Sequence, residues 1–270
     1  MTITIDGPQE IHDTCRKDHD GNGSFERSLA AWDHWLKWIE AKNVETKVTI
    51  APENLPFLDT IFDFFLSRGV TEIFANPIYE HKWTTKEASL YYQKLKSLAD
   101  QLLAYNHAYS TLFDEFKGKP MPLSENQNWC GGVGSMLAFD YEGKAYPCLR
   151  YMQSSLGTTR EPVIVGDVNG IYETLQERKI YQSLCDVTRL SQSSEECLNC
   201  HVATGCGWCS AYNYQETGSW NCRTTNICWM HRAEALANVY YWNKYYLYND
   251  LTTKFPCYLS RDLATQIITQ

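Results

Sequence analysis

Residues 195–209 read Glu-Glu-Cys-Leu-Asn-Cys-His-Val-Ala-Thr-Gly-Cys-Gly-Trp-Cys. Cys197, Cys200, Cys206 and Cys209 stand in this run at spacings of two, five and two residues. A tight turn can aim two thiols separated by two residues at one point, so the run reads as a metal-binding segment. The two knuckles of a single structural zinc site usually lie about 15–20 residues apart, a spacing this run does not have. Working outward, Cys130-x12-Gly143-x4-Cys148 lies upstream, and Cys222 and Cys228 lie downstream. Nine of the 11 cysteines in the 270 residues fall between Cys130 and Cys228, with Cys15 and Cys257 outside. Such clustering speaks for a local site over dispersed stapling, and an odd count leaves at least one thiol without a disulfide partner. Spacing alone leaves iron–sulfur clusters, zinc and disulfides open, in that order.

The rest of the composition narrows the class. Lys plus Arg is 24 against 32 for Asp plus Glu, a net charge of −8. That balance argues against a nucleic-acid or membrane-surface binder, which carries a basic footprint. Hydrophobic residues make up 44% of the chain and mean hydropathy is −0.42, which suits a soluble, core-forming protein. No run of 18 apolar residues predicts a membrane span. The opening Met-Thr-Ile-Thr-Ile-Asp-Gly has no basic or long apolar segment of a signal peptide, so a cytoplasmic location is expected, where clustered cysteines more often bind metal than pair.

Along the chain, residues 2–6, 44–50 and 70–75 predict strands, and 24–42, 54–68 and 85–108 predict helices. Leu29, Trp32, Leu36 and Ile39 give the first helix its apolar face, Ser24 is a candidate cap, and Gly69 ends the second. Strand–helix alternation implies a parallel sheet with helical crossovers, here too small to close as a barrel. Periodicity stops over 118–129. Residues 136–141 and 144–147 flank Glu142-Gly143 as a hairpin, 185–228 is loop-rich, and 229–249 predicts an aromatic-rich helix.

Taken together, Cys130-x12-Gly143-x4-Cys148, Cys197-x2-Cys200-x5-Cys206, Cys209 and Cys228 resemble the SPASM domain of radical SAM enzymes. Independently, Ile5-Asp6-Gly7-Pro8 with Ile11-His12-Asp13, Arg16 and Gly23-Ser24-Phe25 resembles the fourth strand and following loop of a radical SAM barrel. The resemblance implies an α/β fold: the C-terminal half of a partial (β/α)6 barrel over 1–118, a SPASM domain over 119–250 and a tail over 251–270. It implies two auxiliary [4Fe–4S] clusters, the first on Cys130, Cys148 and Cys209, the second on Cys197, Cys200, Cys206 and Cys228. Cys185 or Cys222 would complete the first, unless one iron stays open. The family usually has three residues where two separate Cys206 from Cys209 here.

The resemblance further marks Thr4, Asp6 and Arg16 as cofactor-binding candidates near SAM, with loop capping or surface ion pairing as the plainer readings. Asn76, after the third strand, and His12 and His201 are weighed the same way, the histidines as structural more than ligating. Tyr240, Tyr241, Trp242, Tyr245 and Tyr246 read as helix packing. No three cysteines show the Cys-x3-Cys-x2-Cys spacing that holds the SAM-cleaving cluster. The expectation is therefore a fragment whose full-length parent carries SAM and a third [4Fe–4S] cluster, with a natural short peptide binder as the alternative. The implied activity is radical modification of a ribosomally made, cysteine-rich precursor peptide, possible products including a thioether, with flavodoxin or ferredoxin as electron donor. The competing class is a non-catalytic zinc- or iron–sulfur-stabilised peptide-binding module. In the family's sulfatase maturases a catalytic Asp follows the cysteine matching Cys148; Leu149 stands there and sets this chain apart from them.

Overall fold

Alternation along Glu-Thr-Lys-Val-Thr-Ile, 45–50, makes a strand with one apolar edge, and that edge organises the N-terminal layer. The computed structural model describes residues 2–105, 109–115, 117, 130–200, 202 and 206–269. His201 lies outside the described residues, as do all of 118–129. Contacts divide the chain into two units, Met1–Lys119 with Asn226–Gln270, and Pro120–Thr225.

The first unit begins with β1 (Thr2–Ile3), α1 (Gln9–Cys15), α2 (Phe25–Trp35), β2 (Glu45–Ile50), α3 (Leu58–Leu66), β3 (Glu72–Pro77), α4 (Thr85–Ala104) and β4 (Tyr109–Ser110). The sheet is parallel throughout in the order β1-β2-β3-β4, with Thr2 opposite Glu45, Glu45 opposite Glu72 and Glu72 opposite Tyr109. Thr46, Val48 and Ile50, with Ile73 and Ala75, are buried; α3 supplies Leu58, Ile61, Phe62 and Phe65 to the core and α4 supplies Tyr91, Leu95 and Leu98. Trp32 lies edge-on to Phe64 at 6.0 Å, joining α2 to the same core. The opposite strand positions, Glu45, Lys47, Phe74 and Asn76, line a cleft of about 490 Å³ with Ala75, Thr111 and Lys117.

Helix α2 ends at Trp35, short of the predicted 42. Bonds of the tighter i to i−3 kind, Lys37 N–H to His34 and Trp38 N–H to Trp35, unwind its last turn. Only Phe25 and Trp32 of its apolar stripe are fully buried, so little packing holds the extra turn. Gly69 does end the α3 segment, at φ +77°.

The second unit is a four-stranded antiparallel sheet with short helices: β5 (Ala138–Phe139), β6 (Lys144–Tyr146), α5 (Gln153–Leu156), β7 (Gly166–Asp167), β8 (Gly170–Ile171), α6 (Leu175–Cys185), α7 (Arg189–Gln192), α8 (Glu195–Leu198) and α9 (Ser210–Thr217). The predicted hairpin turn is held by Asp140, whose carboxylate accepts from the Glu142 and Lys144 amides at 2.9 Å each. Val133, Ala145, Tyr151, Val165, Leu184 and Ala211 are among its core residues, with Cys130, Cys148 and Cys209 packed against them.

The chain then returns to the first unit with α10 (Cys228–Tyr248) and α11 (Arg261–Ile268). Helix α10 lies on α4 through a buried charge. Glu234 accepts from the Tyr91 hydroxyl at 2.8 Å and from Lys117 Nζ at 2.8 Å. Tyr241 stacks on Phe113 at 4.5 Å and Tyr240 donates to Asp100 at 3.0 Å, so the aromatic run is helix packing. Among the described residues no helix is long and apolar enough to cross a membrane.

Candidate metal centres

Cys209 sits where extended chain becomes helix. It is the N-cap of α9, and its Sγ accepts from the Tyr212 amide at 3.4 Å, taking the place of the usual capping oxygen. Ser210, the next residue, is fully buried, and its Oγ hydrogen-bonds Cys130 Sγ at 3.2 Å. A Cβ built on Gly132 would lie 3.3 Å from Cys148 Sγ and 3.4 Å from Ser210 Oγ, so the backbone of the Cys130 turn passes close to both. Cys130 hydrogen-bonds Ser210, the residue after Cys209; the Gly132 backbone passes close to Cys148 and Ser210, and all three thiols act on Tyr151.

Burial pushes the Cys148 thiol up, against the opposing pull of the Arg150 and Tyr151 amides. Burial likewise pushes Cys209 up to about 11, opposed by Arg150 and the Tyr212 amide. Both are therefore neutral thiols until a cation displaces their protons. Three sulfurs, ringed by amide donors and a hydroxyl, suit a sulfur-ligated cluster, whose sulfurs take up hydrogen bonds. Among the described residues, no three His, Cys, Asp or Glu side chains stand close enough together to hold a metal ion.

A second group lies on the loop that decides the reading of the sequence. The Cys200 amide donates to the Cys197 carbonyl at 3.2 Å, closing the turn that the two-residue spacing predicts. Ser194 caps α8 by accepting from the Cys197 amide at 3.4 Å. Cys206 is buried, its Sγ 3.3 Å from the Val202 carbonyl. Cys197, Cys200 and Cys206 all act on the charge of Arg189. Cys228 opens α10 in the first unit. Of the reserve thiols, Cys185 is exposed at the end of α6 and lies against Gly134 and Tyr181, and Cys222 is exposed. No disulfide joins any of the 11 cysteines.

The candidates near β1 form a network of their own. The Asp6 carboxylate accepts from Arg16 Nε at 2.6 Å and from the Thr49 amide at 3.0 Å. The Asp6 amide donates to His12 Nδ1 at 3.1 Å, which fixes the proton on Nε2. That nitrogen donates to Ser24 Oγ at 3.0 Å, and Ser24 donates to the Arg16 carbonyl at 3.0 Å. Burial lowers His12 below its ordinary value, in keeping with a neutral ring. The carboxylate that Arg16 holds is thus Asp6 itself, while Thr4 is exposed and stands outside the network. Asn76 is exposed on the cleft side of β3.

No protein-family model matches the sequence, and no curated protein matches it. Solved structures do. Native anSMEcpe with bound AdoMet, an anaerobic sulfatase-maturating enzyme, superposes with a TM-score of 0.61 at 18% identity, over 87% of this chain and 65% of that one. The same enzyme with AdoMet and the Kp18Cys peptide gives 0.59 at 17%, over 87% and 66%. Its hexahistidine-tagged form with AdoMet gives 0.60 at 17%, over 98% and 68%. The fold resembles that of a radical SAM/SPASM enzyme. The chain spans 66% of the length of the Kp18Cys-bound enzyme, and at this identity the likeness is one of fold.

Sequence reasoning missed Arg189, Arg223, Ser210 and Glu234. A charged residue in a loop-rich stretch reads as solvated, and a serine after a cysteine carries no pattern.

Proposed function

We propose that this chain carries the auxiliary-cluster and peptide-facing parts of a radical SAM/SPASM enzyme that modifies a ribosomally made peptide. The observation that carries the reading is that Cys130 bonds Ser210, the residue after Cys209, while Cys130 and Cys148 both act on the Cys209 thiol. The shared fold with an enzyme crystallised with AdoMet and peptide supports it. Residues 1–118 are the C-terminal half of the barrel, 119–250 the SPASM domain, and 251–270 a tail. Cys130, Cys148 and Cys209 hold one [4Fe–4S] cluster; Cys197, Cys200, Cys206 and Cys228 hold the other. When bound, such clusters supply one-electron storage beside the peptide.

The chain's own residues then have distinct tasks. Cys209 anchors its centre at the start of α9, where the helix dipole favours a thiolate. Ser210 and the amides of Arg150, Tyr151 and Tyr212 steady the sulfurs. The Asp6–Arg16 pair fixes the turn after β1 and its register on β2. The cleft beside Lys47 and Asn76, on the side of the sheet that carries the exposed Glu45, Lys47 and Asn76, receives the peptide or AdoMet. Leu149 is exposed next to Cys148, where a sulfatase maturase would carry its Asp; the cysteine-rich precursor, with a thioether as product, is the reading the family resemblance then leaves.

Anaerobic reconstitution tests this. About eight iron and eight sulfide per chain are expected from two four-iron clusters. Cys148→Ser and Cys197→Ser should each remove about half, and Cys15→Ser none. A colourless protein with stoichiometric zinc refutes the reading in favour of a zinc-stabilised binding module.

A further inference from the structure

Around Arg189 and Arg223 the second unit holds several buried donors that are unmatched among the described residues. Arg189, on α7, is 4% exposed, yet its Nε and Nη1 have no hydrogen-bond partner among the described residues. Arg223 Nη1, Gln192 Nε2 and Trp208 Nε1 are likewise buried without partners. These groups share one locality. The Arg223 amide donates to the Gln192 carbonyl at 2.9 Å, its Nη2 donates to the Cys206 carbonyl at 3.0 Å, and its guanidinium lies 5.4 Å from the Trp208 ring centre. Arg189 and Arg223 repel each other, and Cys197, Cys200 and Cys206 are the groups that favour the Arg189 cation. Two like charges with spare donors are costly to bury unless an anion with several acceptor sites completes them.

We propose that Arg189 and Arg223 supply the counter-charge of an anionic iron–sulfur group on Cys197, Cys200 and Cys206, and thereby raise its reduction potential. This rests on the iron–sulfur reading of those cysteines given above. A thiolate-ligated [4Fe–4S] centre is a net anion whose sulfurs accept hydrogen bonds, and reduction adds one more negative charge. Nearby guanidinium groups favour the reduced state over the oxidised one. Gln192 Nε2 and Trp208 Nε1 add neutral donors to the same group.

The test is a redox titration of the anaerobically reconstituted chain, followed by electron paramagnetic resonance, with iron and sulfide measured alongside. Arg189→Met and Arg223→Met are each expected to lower the midpoint of one cluster and leave the other unmoved. At a fixed poise the reduced-to-oxidised ratio of that cluster should fall at least tenfold, equal to about 59 mV for a one-electron couple. Arg189→Lys keeps the charge and should stay near wild type. Loss of one cluster's iron in Arg189→Met, restored in Arg189→Lys, supports the same role. If Arg189→Met does not fold, Arg223→Met carries the test. Full iron with both midpoints unmoved in the methionine variants overturns the inference alone, as does a lysine variant that falls as far as the methionine one. A wild-type chain that takes up no iron overturns the iron–sulfur reading and the inference with it.

Discussion

Replacing Glu234 by Gln keeps the side chain's shape and removes its charge from the α4–α10 interface. The glutamate is 3% exposed, and Lys117, with His231 3.8 Å away, holds its carboxyl down at about 2 despite burial. Its ordinary value is 4.5. The folded value is the lower one, so the stabilisation is complete above pH 4.5 and is lost as pH falls from there towards 2. At neutral pH that difference corresponds to about 3 kcal/mol. Glu234→Gln should lose most of it: Tyr91 can still donate to the amide oxygen, but Lys117 loses the carboxylate it pairs with. Lys117 is one-fifth exposed, and water reaching its ammonium will return part of the loss. The assay is urea denaturation followed by circular dichroism at pH 7, 5 and 3. The gap between wild type and variant should be about 2–3 kcal/mol at pH 7 and shrink steadily below pH 4.5. A gap under about 1 kcal/mol at pH 7, or one that does not narrow in acid, would refute the assignment of Glu234 as a buried, charge-paired anchor.

Two further outcomes are expected. His12 is lowered from 6.5 by burial, so its contribution to stability is complete above pH 6.5 and is lost as pH falls below that; a melting curve that drops between pH 7 and 5 in wild type and flattens in His12→Gln checks it. Gly166 has φ +133°, and a Cβ there would lie 2.8 Å from Ile171 Cα and closer still to the Gly170 carbonyl, so Gly166→Ala should cost about 2 kcal/mol or more. Gly157→Ala, at φ +59° with open space around it, should cost about 1 kcal/mol, and equal losses at the two sites would defeat the steric explanation.

The parallel sheet was readable from the sequence because Val44–Ile50 and Val70–Ala75 alternate with helical stretches that bury one stripe. The turn in the cysteine loop was readable because two-residue spacing favours one, and the Cys200–Cys197 hydrogen bond is that turn. The end of α2 was not readable, since Leu36 and Ile39 keep helical spacing but are only half-buried. Nor was the charge at Glu234: Ala-Glu-Ala reads as a solvent face until Tyr91, 143 residues away, and Lys117 arrive from other elements. Arg189 belongs to the same kind. Arg223, which acts on its charge and bonds to Gln192, arrives from a segment that no local pattern links to it.

The sulfur of Cys209 serves as the first capping acceptor of α9, so whatever captures that sulfur also sets the firmness of the helix. By reciprocity, ordering of α9 must strengthen capture by the same free energy. The Tyr212 amide, bonded to this sulfur, is therefore a built-in reporter. Its rate of exchange with deuterated solvent would follow occupancy of the site without any probe being attached.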